Sequence, residues 1–147
     1  MNDLRLRILD TDTLSEYHRG HAKVVARYSS LPLTLRATTV VTVEEVLRGR
    51  FAQINQAKNT QKLMLAYDFL REAVIRLSRI HILRFDDDAT AQYERIKHLR
   101  TRVGTLALRI AAIVLANNGV LITANQRHFR QIPGLTTEDW TIDAPPK

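Results

Sequence analysis

Leu4-Arg5-Leu6-Arg7-Ile8-Leu9-Asp10-Thr11-Asp12-Thr13 is the stretch whose reading decides the fold. Apolar and basic residues alternate from Leu4 to Arg7, and two apolar residues then run directly into an acid. Alternation marks a half-buried strand, and a fully apolar end marks burial on both faces. Residues 4–9 are therefore expected to form a strand whose carboxyl end lies deep in the protein and delivers Asp10 to an edge. Thr13 and Glu16 have capping-box spacing, so a helix is expected to begin there. Gly20 is expected to end it, and a second short helix to run from His21 to Tyr28.

The same alternation of strand and helix continues outward. Thr38 to Val43 is β-branched throughout and reads as a second strand. Thr42 and Glu45 again have capping-box spacing, so a helix is expected from there to Gly49, with residues 51–58 as a separate helical piece. Thr60 to Ile80 carries Leu63, Ala66, Leu70, Ala73, Val74 and Leu77 at helical spacing and reads as the longest helix. A short strand is expected at 81–85, then a helix opened by Asp86-Asp87-Asp88 and running to about Thr101, since acids suit a helix N-terminus. Gly104 precedes a helix from Leu106 to Asn117 that is apolar nearly all round and should be central. Asn117-Asn118-Gly119 reads as a turn. Val120 to Thr123 reads as a fourth strand, Trp140-Thr141-Ile142 as a fifth at an edge, and Pro145-Pro146-Lys147 as a short Pro-rich tail. Such alternation implies a parallel sheet of four to five strands covered by helices on both faces, in one three-layer α/β domain over residues 1–147.

Composition narrows the function classes. The chain has 147 residues and no cysteine, which excludes disulfides, thiolate zinc sites and cysteine nucleophiles and suits a reducing cytoplasm. No long apolar run follows Met1, so neither a signal peptide nor a membrane span is expected. Lys and Arg number 22 against 15 Asp and Glu, a formal charge of +7, which favours polyanionic partners. There is no phosphate-binding Gly-rich loop and no nucleophile elbow. His18 and His21 have metal-like spacing, but Gly20 interrupts the helix and no third ligand accompanies them.

Ligands of open parallel sheets bind beyond the carboxyl ends of the strands. On this reading Asp10, Glu44 and Glu45, and Thr123 with Asn125, meet at that edge from three strands. Acids gathered in this way repel one another, and a hard divalent cation is the usual compensation. Such a cation can stabilise charge on a phosphate. Taken singly, Asp10 and Glu45 read more readily as backbone capping than as ligands, and Asn125 could be an ordinary turn residue.

Four stretches together are recognisable. Ile8 to Glu16, Val41 to Gly49, Gly104 to Ala112, and Leu121 to Phe129 with Pro133-Gly134-Leu135 and Glu138-Asp139-Trp140 resemble, in order, the motifs of the PIN-domain family, and most of all its VapC-type toxins. The resemblance spans nearly the whole chain. It implies a ribonuclease working through Mg2+ or Mn2+, with water activated at the metal attacking an RNA phosphodiester in line. Asp10 would be the main ligand, Glu45 a second acid, and Asn125 would complete the site with Thr123 nearby. It further implies a homodimer, an antitoxin that blocks the acidic pocket with a basic side chain, and transfer RNA as a plausible target.

The third motif departs from the pattern, with Ala107 where the family carries an aspartate. Alanine can neither bind a cation nor orient a water, and Asn125 is neutral where other members have an acid. Mg2+ is demanding about its few protein ligands, so the chain is expected to be weakly active or inactive. The intact remainder of the motif set favours an engineered inactivation over natural loss of activity. The alternative function is a non-catalytic PIN-like protein that binds RNA or an antitoxin. A nuclease of DNA flaps ranks lower, since no insertion is evident that would grip a duplex. Arg48, Arg109 and Arg127 are candidate RNA contacts that sequence alone does not rank.

Overall fold

The computed structural model describes residues 3–99 and 104–143. Five parallel strands form one sheet: β1 (Arg7–Leu9), β2 (Arg36–Thr39), β3 (His81–Leu83), β4 (Val120–Ile122) and β5 (Thr136–Glu138). Their spatial order is β3-β2-β1-β4-β5. Seven α-helices accompany them in the described residues: α1 (Thr11–His18), α2 (Ala22–Ser30), α3 (Val40–Gln56), α4 (Thr60–Leu77), α5 (Asp87–Ile96), α6 (Thr105–Ala116) and α7 (Gln126–Phe129), with one 3-10 turn at Leu33–Leu35. The expected parallel α/β sheet with helices on both faces is what the chain forms.

Side-chain alternation along the short strands builds two cores. Ile8, Ala37, Leu83 and Leu121 point to one face, where Val41, Ile96, Ile110, Ile113 and Phe129 cover them. Leu9, Val120 and Ile122 point to the other, against Leu14, Val24, Leu77 and Trp140. Helix α6 buries Ile110 to Val114 without a break, as its all-round apolar sequence predicts. Fully burying one such aliphatic side chain stabilises the fold by about 1.5–3 kcal/mol.

Several boundaries differ from the sequence expectation, each for an identifiable reason. Asp10, not Thr13, caps α1: its Oδ1 accepts the Thr13 N–H at 2.8 Å. Gly20 does end that helix, at φ +84°, with its N–H bonded to the Tyr17 carbonyl and the His21 N–H to that of Glu16. This pattern needs a left-handed residue, which glycine adopts without strain. The second strand occupies 36–39 rather than 38–43. Thr39 Oγ1 accepts the Thr42 N–H at 3.1 Å and starts α3 one turn earlier than the Thr42–Glu45 spacing implied. Capping here overrides the strand preference of Val40-Val41-Thr42-Val43.

Gly49 does not end α3, which runs on through the segment expected as a separate piece. One helical glycine costs only about 1 kcal/mol, and Val43, Val46 and Leu47 of the same helix are packed against the core. Only Arg7–Leu9 of the expected 4–9 is strand, and Leu4 is exposed. The fifth strand is Thr136–Glu138, not 140–142. Its β-branched threonines pair with β4, while Trp140 buries its ring as a core side chain off the sheet. Helix α5 opens at Asp86 as expected, with Oδ1 accepting the Ala89 N–H at 3.0 Å, but closes at Ile96. Thr101 and the 145–147 tail lie outside the described residues.

Candidate active site at the carboxyl edge of the sheet

The chain leaves the central strand β1 first toward β2 and β3, and later returns to the opposite side through β4 and β5. After β1, Leu14 of α1 packs on one face; after β4, Phe129 of α7 packs on the other. The two connections therefore part beyond β1 and β4. A crevice at such a reversal is where open parallel sheets bind ligands.

Asp10 lies at that point. Its backbone N–H donates to the Ile122 carbonyl at 3.0 Å, so the parallel β1–β4 ladder extends to the acid itself and holds it rigidly. The residue is 6% exposed. Burial pushes its carboxyl above the usual carboxylate range, helped by the nearby charge of Asp12, while the Thr123 hydroxyl, the Thr13 N–H and the Thr13 hydroxyl pull the other way. Desolvation wins because burial penalises the anion more than these donors stabilise it. Thr13 Oγ1 is itself buried beside this carboxyl without a well-formed hydrogen bond of its own.

A run of threonines ties the second acid to the first. Thr11, the residue after Asp10, donates from Oγ1 to Glu45 Oε1 at 2.7 Å. The same hydroxyl lies 3.3 Å from Thr42 Oγ1, which is 3.4 Å from Thr39 Oγ1. Thr38 Oγ1 donates to the Leu9 carbonyl at 2.8 Å and pins β2 to β1 just before the acid. Glu45 thus projects from the second turn of α3 rather than from a strand end, and it is half-buried. Glu44 points elsewhere, bonded to Arg48 at 2.6 Å.

From β4, Thr123 accepts the Asn125 N–H on Oγ1 at 3.0 Å, and its own N–H bonds to the Glu138 carbonyl at 2.9 Å. Asn125 is exposed and precedes α7, and its side chain makes no capping bond to that helix. Ala107 is half-buried in the first turn of α6. A third carboxylate, Glu138, ends β5, but Arg27 at 2.7 Å and the Trp140 indole N–H at 2.9 Å both bind its Oε1.

The structure thus joins Asp10, Thr123 and, through Thr11, Glu45. It leaves Asn125 at the rim and attaches no polar group at Ala107. Among the described residues no group of three His, Cys, Asp or Glu is placed to hold a metal ion. His21 Nδ1 accepts the Val24 N–H and caps α2, so the two histidines serve different helices. Sequence reading missed the Thr11–Glu45 bond, whose partners lie on separate elements, and the Thr39 cap, which competes with the local strand preference. Helix α7 was also missed; Asn125 was its one local signal.

Comparison with known proteins gives a consistent answer. The model of the PIN domain family matches residues 7–135. Ribonuclease VapC1 of Haemophilus influenzae strain R2866 is 26% identical over 140 residues, covering 91% of this chain and 97% of that protein. Ribonuclease VapC2 of Rickettsia felis is 27% identical over 117 residues, covering 77% and 83%. Among solved structures, DNA-bound VapBC from Salmonella typhimurium superposes with a TM-score of 0.76 at 23% identity, covering 92% of this chain and 98% of the other. VapBC-1 from nontypeable Haemophilus influenzae does so with 0.74 at 24% identity, covering 93% and 99%.

Proposed function

Because this chain belongs to the PIN-domain family and resembles VapC ribonucleases over nearly its whole length, we propose that it is built as a toxin-type endoribonuclease whose metal site Ala107 leaves incomplete. The observation that carries this reading is the buried Asp10 carboxyl at the sheet's reversal point, joined through Thr11 to Glu45. The donor set suits a hard cation in kind, since every polar side-chain atom that the site presents from Asp10, Thr11, Thr13, Glu45 and Thr123 is oxygen. The orphaned Thr13 hydroxyl and the raised Asp10 pKa point the same way, because a positive charge would relieve both.

Asp10 and Glu45 would hold Mg2+ or Mn2+, with Asn125 completing the rim. The ion, when bound, would supply Lewis-acid stabilisation of charge on a phosphate. The chain's own part is positioning. The β1–β4 ladder fixes the Asp10 backbone, the Thr13 N–H and the Thr123 hydroxyl orient its carboxyl, and Thr11 restrains Glu45. The formal charge of +7 favours an RNA substrate, with transfer RNA the class that the resemblance brings forward. The solved neighbours are VapBC complexes, which supports a cognate antitoxin as protein partner. A basic antitoxin side chain would find in Asp10 and Glu45 a charge-assisted partner. A homodimer is the expected assembly.

A second reading is a binding protein without turnover, favoured by Ala107 and by the lack of a three-acid group among the described residues. One experiment separates the two. The chain and its Ala107→Asp variant are incubated with structured RNA and Mn2+ or Mg2+, with EDTA and Asp10→Ala controls. Cleavage by Ala107→Asp that EDTA and Asp10→Ala abolish supports the ribonuclease. RNA or partner binding with no cleavage across a broad RNA panel supports the binding protein.

A further inference from the structure

A second cleft opens on the same sheet edge. It encloses about 450 Å3 and is lined by Val40, Val41 and Glu44 of α3, Phe85, Tyr93 of α5 and Arg109 of α6. Clefts of a few hundred Å3 with apolar walls and a few polar groups are the usual form of small-ligand sites. Its position ties it to the acids. Val40 and Val41 begin the helix that carries Glu45, with Val41 one turn before it on the same face, and Phe85 follows the carboxyl end of β3.

Its chemistry is that of a stacking platform. The Phe85 and Tyr93 rings meet edge to face at 70°, with centroids 5.9 Å apart. The Arg109 guanidinium stands 5.8 Å from the centre of the Tyr93 ring. Phe85 remains 37% exposed, so one aromatic surface faces solvent. Unpaired nucleobases stack on aromatic rings and on Arg planes, and the guanidinium also binds phosphate. Glu44, the one acid in the lining, is engaged by Arg48 at 2.6 Å, whereas Arg109 has no carboxylate partner among the described residues.

We propose that this cleft is a nucleobase-binding subsite, holding an unstacked base of the RNA strand next to the phosphate presented to Asp10 and Glu45. The proposal rests on the RNA-directed reading above and adds to it the residues that choose the neighbouring nucleotide. Of Arg48 and Arg109 it favours Arg109 as the RNA contact, since Arg48 is paired with Glu44.

The test uses the full chain in EDTA, where binding is read without turnover. A single-stranded RNA carrying 5-iodouridine is crosslinked by ultraviolet light, and its affinity is measured by fluorescence anisotropy at two salt concentrations. The crosslink is expected on the segment containing Phe85 or Tyr93. Tyr93→Leu is expected to weaken binding about 5- to 150-fold, the range for losing one stacked base. Tyr93→Phe should retain affinity, which separates loss of the ring from loss of folding. Arg109→Gln should weaken binding and lower the salt slope by about one. Exposed Phe51 on α3 serves as control, and Phe51→Ser should change nothing.

Unchanged affinity in Tyr93→Leu, with a crosslink elsewhere, overturns the subsite. So does a change in molecular mass by light scattering with RNA affinity intact, which would assign the cleft to a contact between copies of the chain. If Ala107→Asp cuts RNA while Tyr93→Leu in that background cuts at the same rate and the same nucleotides, only the subsite falls. If Ala107→Asp cuts nothing and the chain binds no RNA, the ribonuclease reading falls with it.

Discussion

Replacing Asp10 by asparagine should stabilise the metal-free protein at neutral pH, although it removes the residue on which the proposed function depends. The Asp10 side chain does two separable things. Its Oδ1 caps α1 by accepting the Thr13 N–H at 2.8 Å, and its charge is buried at 6% exposure. Asparagine preserves the cap, since the amide oxygen accepts the same bond, and it removes the charge. Alanine removes both, and loss of such a cap costs about 1 kcal/mol. For a chain of this size that is about 3 °C in Tm, so Asp10→Ala should melt about 3 °C below Asp10→Asn in EDTA.

The pH dependence has a definite sign. The folded pKa of Asp10 is raised by burial. The stability associated with its neutral form is complete below the unfolded carboxylate pKa of about 3.9 and is lost as pH rises through the folded value. The asparagine variant has no such loss. Parent and Asp10→Asn should therefore melt together near pH 3, and the variant should pull ahead as the pH rises to 8. Saturating Mn2+ should close or reverse the gap in an Ala107→Asp background, because ligand at 100 times its Kd adds about 2.7 kcal/mol to whichever protein binds it. Calorimetry across pH 3–8 in EDTA is the assay. An Asp10→Asn variant less stable than its parent at pH 7.5 would refute the argument, since the donors around the carboxyl would then outweigh its desolvation.

Three further outcomes follow from the same geometry. Thr11→Val removes the 2.7 Å bond to Glu45 and, in the Ala107→Asp background, should weaken Mn2+ binding by about 10-fold without changing helix content; equal affinities by titration calorimetry would mean that Thr11 does not position the acid. Gly119→Ala would put a Cβ 2.5 Å from Ile8 Cδ1 and 3.2 Å from the Leu6 carbonyl oxygen. Because Ile8 is fully buried and cannot swing away, the variant should lose about 1–3 kcal/mol in urea unfolding, and an unchanged midpoint would show that the β1 end yields. Glu138→Gln weakens the bonds to Arg27 and to the Trp140 indole; the pair is only partly screened from solvent, so the expected loss is about 1 kcal/mol, with altered near-ultraviolet dichroism from the single tryptophan, and an identical spectrum would dissociate Trp140 from the β5 end.

What could be read from sequence was local. The apolar end of β1, the left-handed glycine after α1, the acidic cap of α5 and the all-round apolar α6 are each fixed within a few residues, and the structure has all four. The errors fall where two local signals compete or where a distant partner decides. Thr38 to Val43 has the composition of a strand, yet the Thr39 cap makes its second half helical, and that change moves Glu45 from a strand end to a helix face. Trp140 reads as strand because it is apolar, yet its burial comes from packing under the sheet rather than from pairing within it. The threonine run from Thr39 through Thr42 and Thr11 to Glu45 joins two elements, and neither segment alone announces it.

Ala107 shows how separately fold and activity are encoded in this chain. Alanine is the best helix former, and it occupies the first turn of α6, where an acid would also be favoured by the helix dipole. Either residue suits the helix, so the α6 core from Ile110 to Val114 gives no reason to keep an acid at 107. On the proposed function, the pressure to keep one would come from the cation. An aspartate at 107 would then join Asp10, whose pKa burial already raises, so it would increase repulsion in the metal-free protein and supply a ligand in the metal-bound one. The exchange therefore carries opposite signs with and without metal. A chain with alanine here keeps the Asp10–Thr11–Glu45 edge and avoids the further repulsion that an acid at 107 would add in the metal-free state.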